Sequence, residues 1–81
     1  MRSRGHTRTL YVGGFGSAVD APTLRAVFAR FGEVLDLRLV ERGEASFAYV
    51  TFAAEPNAAA ARRQLDGTRL AGRLLRVELA Q

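Results

Sequence analysis

No cysteine, no lysine and only one histidine occur in this chain of 81 residues, and each shortage removes a class of function. Without thiols there is neither a disulfide framework nor a thiolate metal site, so the fold must rest on its apolar core. His6 stands among Arg2, Arg4 and Arg8 with no nucleophile partner in view, and reads as a solvated tail residue rather than a general base or metal ligand. No apolar run approaches the roughly 20 residues that span a bilayer, and Met1 to His6 leads into no signal-peptide stretch. The expectation is a soluble intracellular protein without membrane contact. Gly13-Gly14-Phe15-Gly16 completes neither Gly-x-Gly-x-x-Gly nor a lysine-serine phosphate loop, and reads as a flexible turn leaving a strand. Neither enzyme chemistry nor a cofactor is expected.

What is present is arginine. All 12 basic residues are arginines, against 8 acidic ones, for a net charge of +4 and a pI near 11.0. Arginine's planar fork pairs with phosphate and stacks on bases, which suits a polyanion partner. With 14 alanines in the same chain, a compositional bias accounts equally well for the missing lysine, so charge position matters more than charge count. Arg2, Arg4 and Arg8 all precede the first acidic residue, Asp20. Residues 1–8 therefore read as a flexible basic arm and 9–81 as one small domain. A domain of this size buries only about 60% of its unfolded surface, so its stability is expected to be modest.

Periodicity supplies the elements. Thr9 to Gly13 alternates with β-branched and aromatic residues, as a strand does. Asp20-Ala21-Pro22-Thr23 opens a helix with a capping residue and an early proline; Leu24, Val27, Phe28 and Phe31 follow at helical spacing, and Gly32 closes it. Val34 to Val40 predicts a second strand, with Leu35, Leu37 and Leu39 on one face and Asp36, Arg38 and Val40 on the other. A turn at Arg42-Gly43-Glu44 leads to a third strand from Ala45 to Phe52, antiparallel to the second. Glu55-Pro56 opens a second helix with a narrow stripe of Ala58, Ala61 and Leu65, stopped by Asp66-Gly67. Arg73 to Leu79 is the last strand, with Leu75, Val77 and Leu79 inward. The order βαββαβ predicts an α+β, ferredoxin-like fold: a four-stranded sheet, expected to be mixed, with both helices on one face.

The third strand is apolar on both sides. Ala48, Val50 and Phe52 alternate with Phe47, Tyr49 and Thr51, yet two helices cover only one face. If the first set is buried, Phe47 and Tyr49 lie on the open side, joined by Tyr11, since Leu10 and Val12 point inward. Cross-strand aromatic pairing would stabilise a sheet without any ligand, but three rings on one open face of a small domain suit a binding surface better. Arg38 and Arg76 rise from neighbouring strands, either toward phosphates or into ion pairs with Asp36 and Glu78.

These residues resemble the two signature segments of the RNA recognition motif family. Leu10-Tyr11-Val12-Gly13-Gly14-Phe15 is similar to the family's hexapeptide, and Ala45-Ser46-Phe47-Ala48-Tyr49-Val50-Thr51-Phe52 to its octapeptide. Leu24, Phe28 and Phe31-Gly32, and Leu65-Asp66-Gly67 through Gly72-Arg73, add to a resemblance that spans Thr9 to Ala80. It implies that Tyr11 and Tyr49 each stack a base, that Phe47 packs against sugars, and that the partner is single-stranded RNA. The octapeptide departs from the family in starting with Ala45-Ser46, where a basic residue and glycine are usual. Arg42, three residues earlier, either substitutes for that phosphate anchor or pairs with Glu41 or Glu44.

Two other readings compete. A domain of this fold can act mainly on other proteins, although Arg73-Leu74-Leu75 lacks the phenylalanine of the family's peptide-binding subtype and the first helix carries Arg25 and Arg30 in place of acids. An enzyme of the same fold finds no catalytic pair. The expectation is therefore a monomeric domain, either part of a longer protein or a single-domain protein, that binds single-stranded RNA, with other proteins as further partners. Its expected setting is mRNA processing in the nucleus, with the cytoplasm as the alternative compartment.

Overall fold

The computed structural model describes residues 7–80, so most of the expected basic arm lies outside the described residues. Eight elements follow one another: β1 (Thr9–Gly13), α1 (Ala21–Ala29), β2 (Val34–Val40), β3 (Phe47–Phe52), α2 (Glu55–Leu65), β4 (Arg69–Leu70), β5 (Arg73–Leu74) and β6 (Arg76–Leu79). Four of them form the sheet in the order β2-β3-β1-β6, and β4 with β5 makes a separate short hairpin. The fold is the ferredoxin-like one expected from the element order, but its sheet is antiparallel at every pairing and not mixed. β1 and β2 do run parallel, yet β3 lies between them, because each helical crossover carries the chain past the neighbouring place.

One core joins the helices to one side of the sheet. Leu10 and Val12 of β1, Ala48, Val50 and Phe52 of β3 and Val77 of β6 are buried against Leu24 and Phe28 of α1 and Ala58 and Ala61 of α2. The alanine stripe of α2 brings that helix close to the strands, and the Phe28 and Phe52 rings meet at 6.4 Å between centroids. Phe15 and Val19, in the loop after β1, are buried in the same core. α1 begins at Asp20, whose Oδ1 accepts the Thr23 N–H at 3.0 Å, with Pro22 in the first turn. Hydrogen bonding from Thr23, by its side chain and then its backbone, holds the Asp20 carboxyl below the usual carboxylate range.

Three elements differ from the periodicity. The β2 register shifts between Val34 and Asp36, so Val34 enters the core opposite Phe52 while Leu35, expected inward, is 54% exposed. A bulge adds one residue and reverses the alternation behind it. Leu37 and Leu39 keep the helix side, opposite Val50 and Ala48. Next, β3 starts at Phe47, not Ala45, because the preceding turn is closed by Ser46. The buried Ser46 hydroxyl accepts the Arg42 N–H at 2.8 Å and donates to the Gly43 carbonyl at 2.7 Å. Finally, the expected strand from Arg73 to Leu79 breaks at Leu75, whose N–H donates to the Thr68 carbonyl at 2.7 Å and whose carbonyl accepts the Gly67 N–H at 2.9 Å. Asp66 continues this seam, its Oδ1 accepting the Val77 N–H at 2.9 Å. The loop after α2 thus covers the outer edge of β6.

Two outcomes follow for stability. Phe52→Ala should remove about 3–5 kcal/mol, a large share of what so small a domain has. Tyr49→Ala, on the other face, should shift the thermal midpoint far less; the reverse order in melts would invert the face assignment. The Asp20 cap is expected to support α1 fully at neutral pH and to weaken as pH falls through its lowered pKa, since protonation is then easier in the unfolded chain. In Asp20→Ala that part of the acid dependence should be missing from pH-dependent melts.

Candidate functional site

The uncovered face of the sheet is organised as cross-strand rows. In the central row Arg38 of β2 lies opposite Tyr49 of β3, Tyr49 opposite Tyr11 of β1, and Tyr11 opposite Glu78 of β6. A second row sets Asp36 opposite Thr51 and Thr51 opposite Thr9, with the two threonine hydroxyls 3.0 Å apart. On the other side of the central row Val40 faces Phe47, and Gly13 faces Arg76.

The three rings expected to converge do so. Tyr11 and Phe47 lie 5.8 Å apart at 31°, Tyr11 and Tyr49 6.0 Å apart at 65°, and Phe47 and Tyr49 5.8 Å apart at 86°. Tyr49 is 38% exposed, and the other two are half-buried by their neighbours. Edge-to-face packing at these distances holds each ring in place while leaving flat apolar surface toward solvent. Gly13 permits the arrangement: a Cβ there would come within 2.7 Å of the Tyr11 hydroxyl and 3.1 Å of its ring, so the tyrosine lies over a position with no side chain. Sequence reasoning took Gly13 only as the end of a strand.

The charged residues of this face cancel. Arg38 and Arg76 are matched by Asp36 and Glu78, and Arg76 Nε stands 3.6 Å from Glu78 Oε2. Arg38 has no ion pair among the described residues. Arg42 lies in the turn before β3; its main chain is bonded to Ser46 and Ala45, and its exposed side chain pairs with neither Glu41 nor Glu44. Glu44 goes elsewhere: its carboxylate accepts the Ser17 hydroxyl at 2.9 Å and ion-pairs with Arg73. This contact joins the loop after β1, the β2–β3 turn and the β4–β5 hairpin, and nothing in the local sequence pattern signals it.

Next to that contact, the glycine cluster forms the turn expected after β1 and also has a packing role. Gly14 and Gly16 hold positive φ of 84° and 75°, and a Cβ on Gly14 would strike the Leu74 carbonyl. On Gly16 it would come within 2.6 Å of Arg73 Nε. These glycines let the segment before β6 approach the β1 loop, and the backbone conformation itself excludes most side chains. Among the described residues no group of three or more histidine, cysteine or carboxylate side chains is placed to hold a metal, and no helix is long and apolar enough to cross a membrane.

Comparison with known proteins places the chain among relatives of the same architecture. A family model described as "RNA recognition motif" matches residues 10–76. The chain is 37% identical over 75 residues to glycine-rich RNA-binding protein 3, mitochondrial, of Arabidopsis thaliana, a match covering 88% of this chain and 24% of that protein. It is 41% identical over 61 residues to RNA binding protein fox-1 homolog 3 of Homo sapiens, covering 73% and 20% respectively. The chain thus spans about a quarter or less of these two relatives. Two solved structures share the fold: "Structure of RNA15 RRM", with TM-score 0.84, 22% identity and coverage of 93% and 91% of the two chains, and "Structure of Rna15 RRM with bound RNA (GU)", with TM-score 0.83, 22% identity and coverage of 91% and 83%.

Gly13→Ala tests the local geometry directly. The new methyl should displace the Tyr11 ring, so that the Tyr11 and Phe47 ring resonances move in NMR spectra while the amides of α1 and α2 stay in place. An unmoved Tyr11 ring would show that Gly13 is not what seats it.

Proposed function

The chain belongs to the RNA recognition motif family, and on that footing we propose that it binds single-stranded RNA by stacking bases on the open face of its sheet. One observation carries the reading: Tyr11, Phe47 and Tyr49 meet within 6.0 Å of one another on the side of the sheet opposite the helices. Three clustered rings outside the core add little to a fold whose interior is already filled by Phe15, Phe28 and Phe52, whereas exposed flat rings hold bases by about 1–3 kcal/mol each. Tyr11 and Tyr49 each take one base, Phe47 packs against the intervening sugars, and arginines meet the backbone, for about two to four nucleotides in all.

Arg38, beside Tyr49 and without an ion pair among the described residues, is the first candidate for phosphate. Arg76 must leave Glu78 to reach one, and Arg42 extends from the turn where the family's basic residue is replaced by Ala45. With a neutral sheet face and two or three stacks, the affinity should be roughly micromolar or weaker for the isolated domain. The role is binding without a chemical step. Nuclear mRNA processing, expected from the resemblance, remains part of this proposal; the compartment in which a tagged full-length protein accumulates tests it.

Binding isotherms at several salt concentrations separate the forces. Tyr11→Ala and Tyr49→Ala should each lose about 1–3 kcal/mol at every salt concentration. Arg38→Ala should lose most at low salt, flattening the slope of log K against log salt by roughly 0.7. Unchanged binding in both tyrosine variants would overturn the sheet-face reading. RNA-induced NMR shifts confined to α1 and α2 would count against it as well and favour a protein partner.

A further inference from the structure

The contact at the loop end of the sheet has a chemistry of its own. Glu44 presents its carboxylate to a hydroxyl, Ser17 Oγ, and to a guanidinium, that of Arg73. A phosphodiester oxygen accepts from the same two donor types. The seat is shaped as well as charged, because the Arg73 side chain lies over Gly16, where a Cβ would meet its Cδ at 2.8 Å. It also adjoins the aromatic face: Glu44 precedes Phe47 by three residues, and Arg73 precedes Arg76, the partner of Gly13, by three.

We propose that Ser17 and Arg73 form a seat for an RNA phosphate, and that Glu44 occupies this seat in the free protein as an internal competitor. The inference rests on the sheet-face reading, since the phosphate belongs to the strand stacked on Tyr11 and Tyr49. Three observations support it. The sheet face is electrically balanced overall, so cations at the rim add to what Arg38 offers the backbone. At Ala45 and Ser46 the usual anchor is absent, and Ser46 is committed to closing its turn. The Arg73–Glu44 pair is itself exposed, with 53% and 64% of the two side chains accessible, so it is weak and readily exchanged for another anion. When the phosphate enters, Glu44 returns to water and the β2–β3 turn is released from the loop after β1.

The experiment measures binding of a mixed-sequence single-stranded RNA of about six nucleotides to the whole chain and its variants, between about 50 and 200 mM salt. Glu44→Gln should bind roughly two- to fivefold more tightly at low salt, the scale of an exposed ion pair. Its salt slope should be steeper by up to about 0.7, because Arg73 no longer carries an internal counterion in the free protein. Glu44→Asp, which keeps the charge but shortens its reach, should show part of the gain. Glu41→Gln removes a charge from the same turn without touching the seat, and should gain less. In an Arg73→Gln background, Glu44→Gln should gain nothing beyond what Glu41→Gln does. Equal gains from Glu41→Gln and Glu44→Gln, a gain that survives Arg73→Gln, or weaker binding in both Glu44 variants would overturn the proposal. Tyr49→Ala, measured alongside, keeps the two readings apart: loss there with no special effect of Glu44 removes the seat and leaves the stacking face intact.

Discussion

Everything in this domain depends on a sheet that is covered on one side only. A strand turns successive side chains to opposite faces, so covering one face with α1 and α2 divides every strand into residues that hold the fold together and residues released from that duty. In β3 the division runs between Ala48, Val50 and Phe52, all fully buried, and Phe47, Tyr49 and Thr51, all at least partly exposed. Folding and binding are therefore assigned to alternate positions of the same strand, six residues long. Because β1 and β3 are each paired on both edges, the rings on the open side take their spacings from the register below them.

Much of this was legible in the sequence because it depends on period. The alternation of Leu10, Tyr11 and Val12, and of Phe47 through Phe52, states both the strand and its two faces, and Asp20 with Pro22 states where α1 begins. Departures from period were not legible. Leu35 matches Leu37 and Leu39 in spacing, and only the bulge that draws Val34 into the core turns it outward. Leu75 fits a continuous last strand, but its hydrogen bonds go to Gly67 and Thr68 across the edge. Phe15 lies between two glycines, where no periodicity identifies it as core. The Glu44 contact joins residues separated by 27 and 29 positions, and such pairings follow from topology alone.

Electrostatics and stacking are divided in space as well. Opposite charges on the open face, Asp36 with Arg38 and Glu78 with Arg76, leave the rings in a nearly neutral field, while Arg42 and the Arg73–Glu44 pair lie toward the loop end. Charge that draws a polyanion closer acts over roughly a Debye length, about 8–10 Å at ordinary salt, and need not stand beside the stacked bases. Ring contacts, by contrast, act only when touched. A neutral face also avoids holding any anion that drifts past, since its rings discriminate by shape and flatness.

The seam along β6 has a consequence for how copies of this chain meet. β2 and β6 are the outer strands, but Asp66 already occupies the Val77 N–H of β6, and Thr68 the N–H of Leu75 just before it. An unpaired strand edge is a template for another chain, and a fibril grows only if each added copy offers a fresh edge after docking. Here the loop after α2 takes the Val77 N–H of β6, and Arg25 Nη1 donates to the Val34 carbonyl of β2 at 3.2 Å. Both outer strands therefore offer a second copy a shortened template.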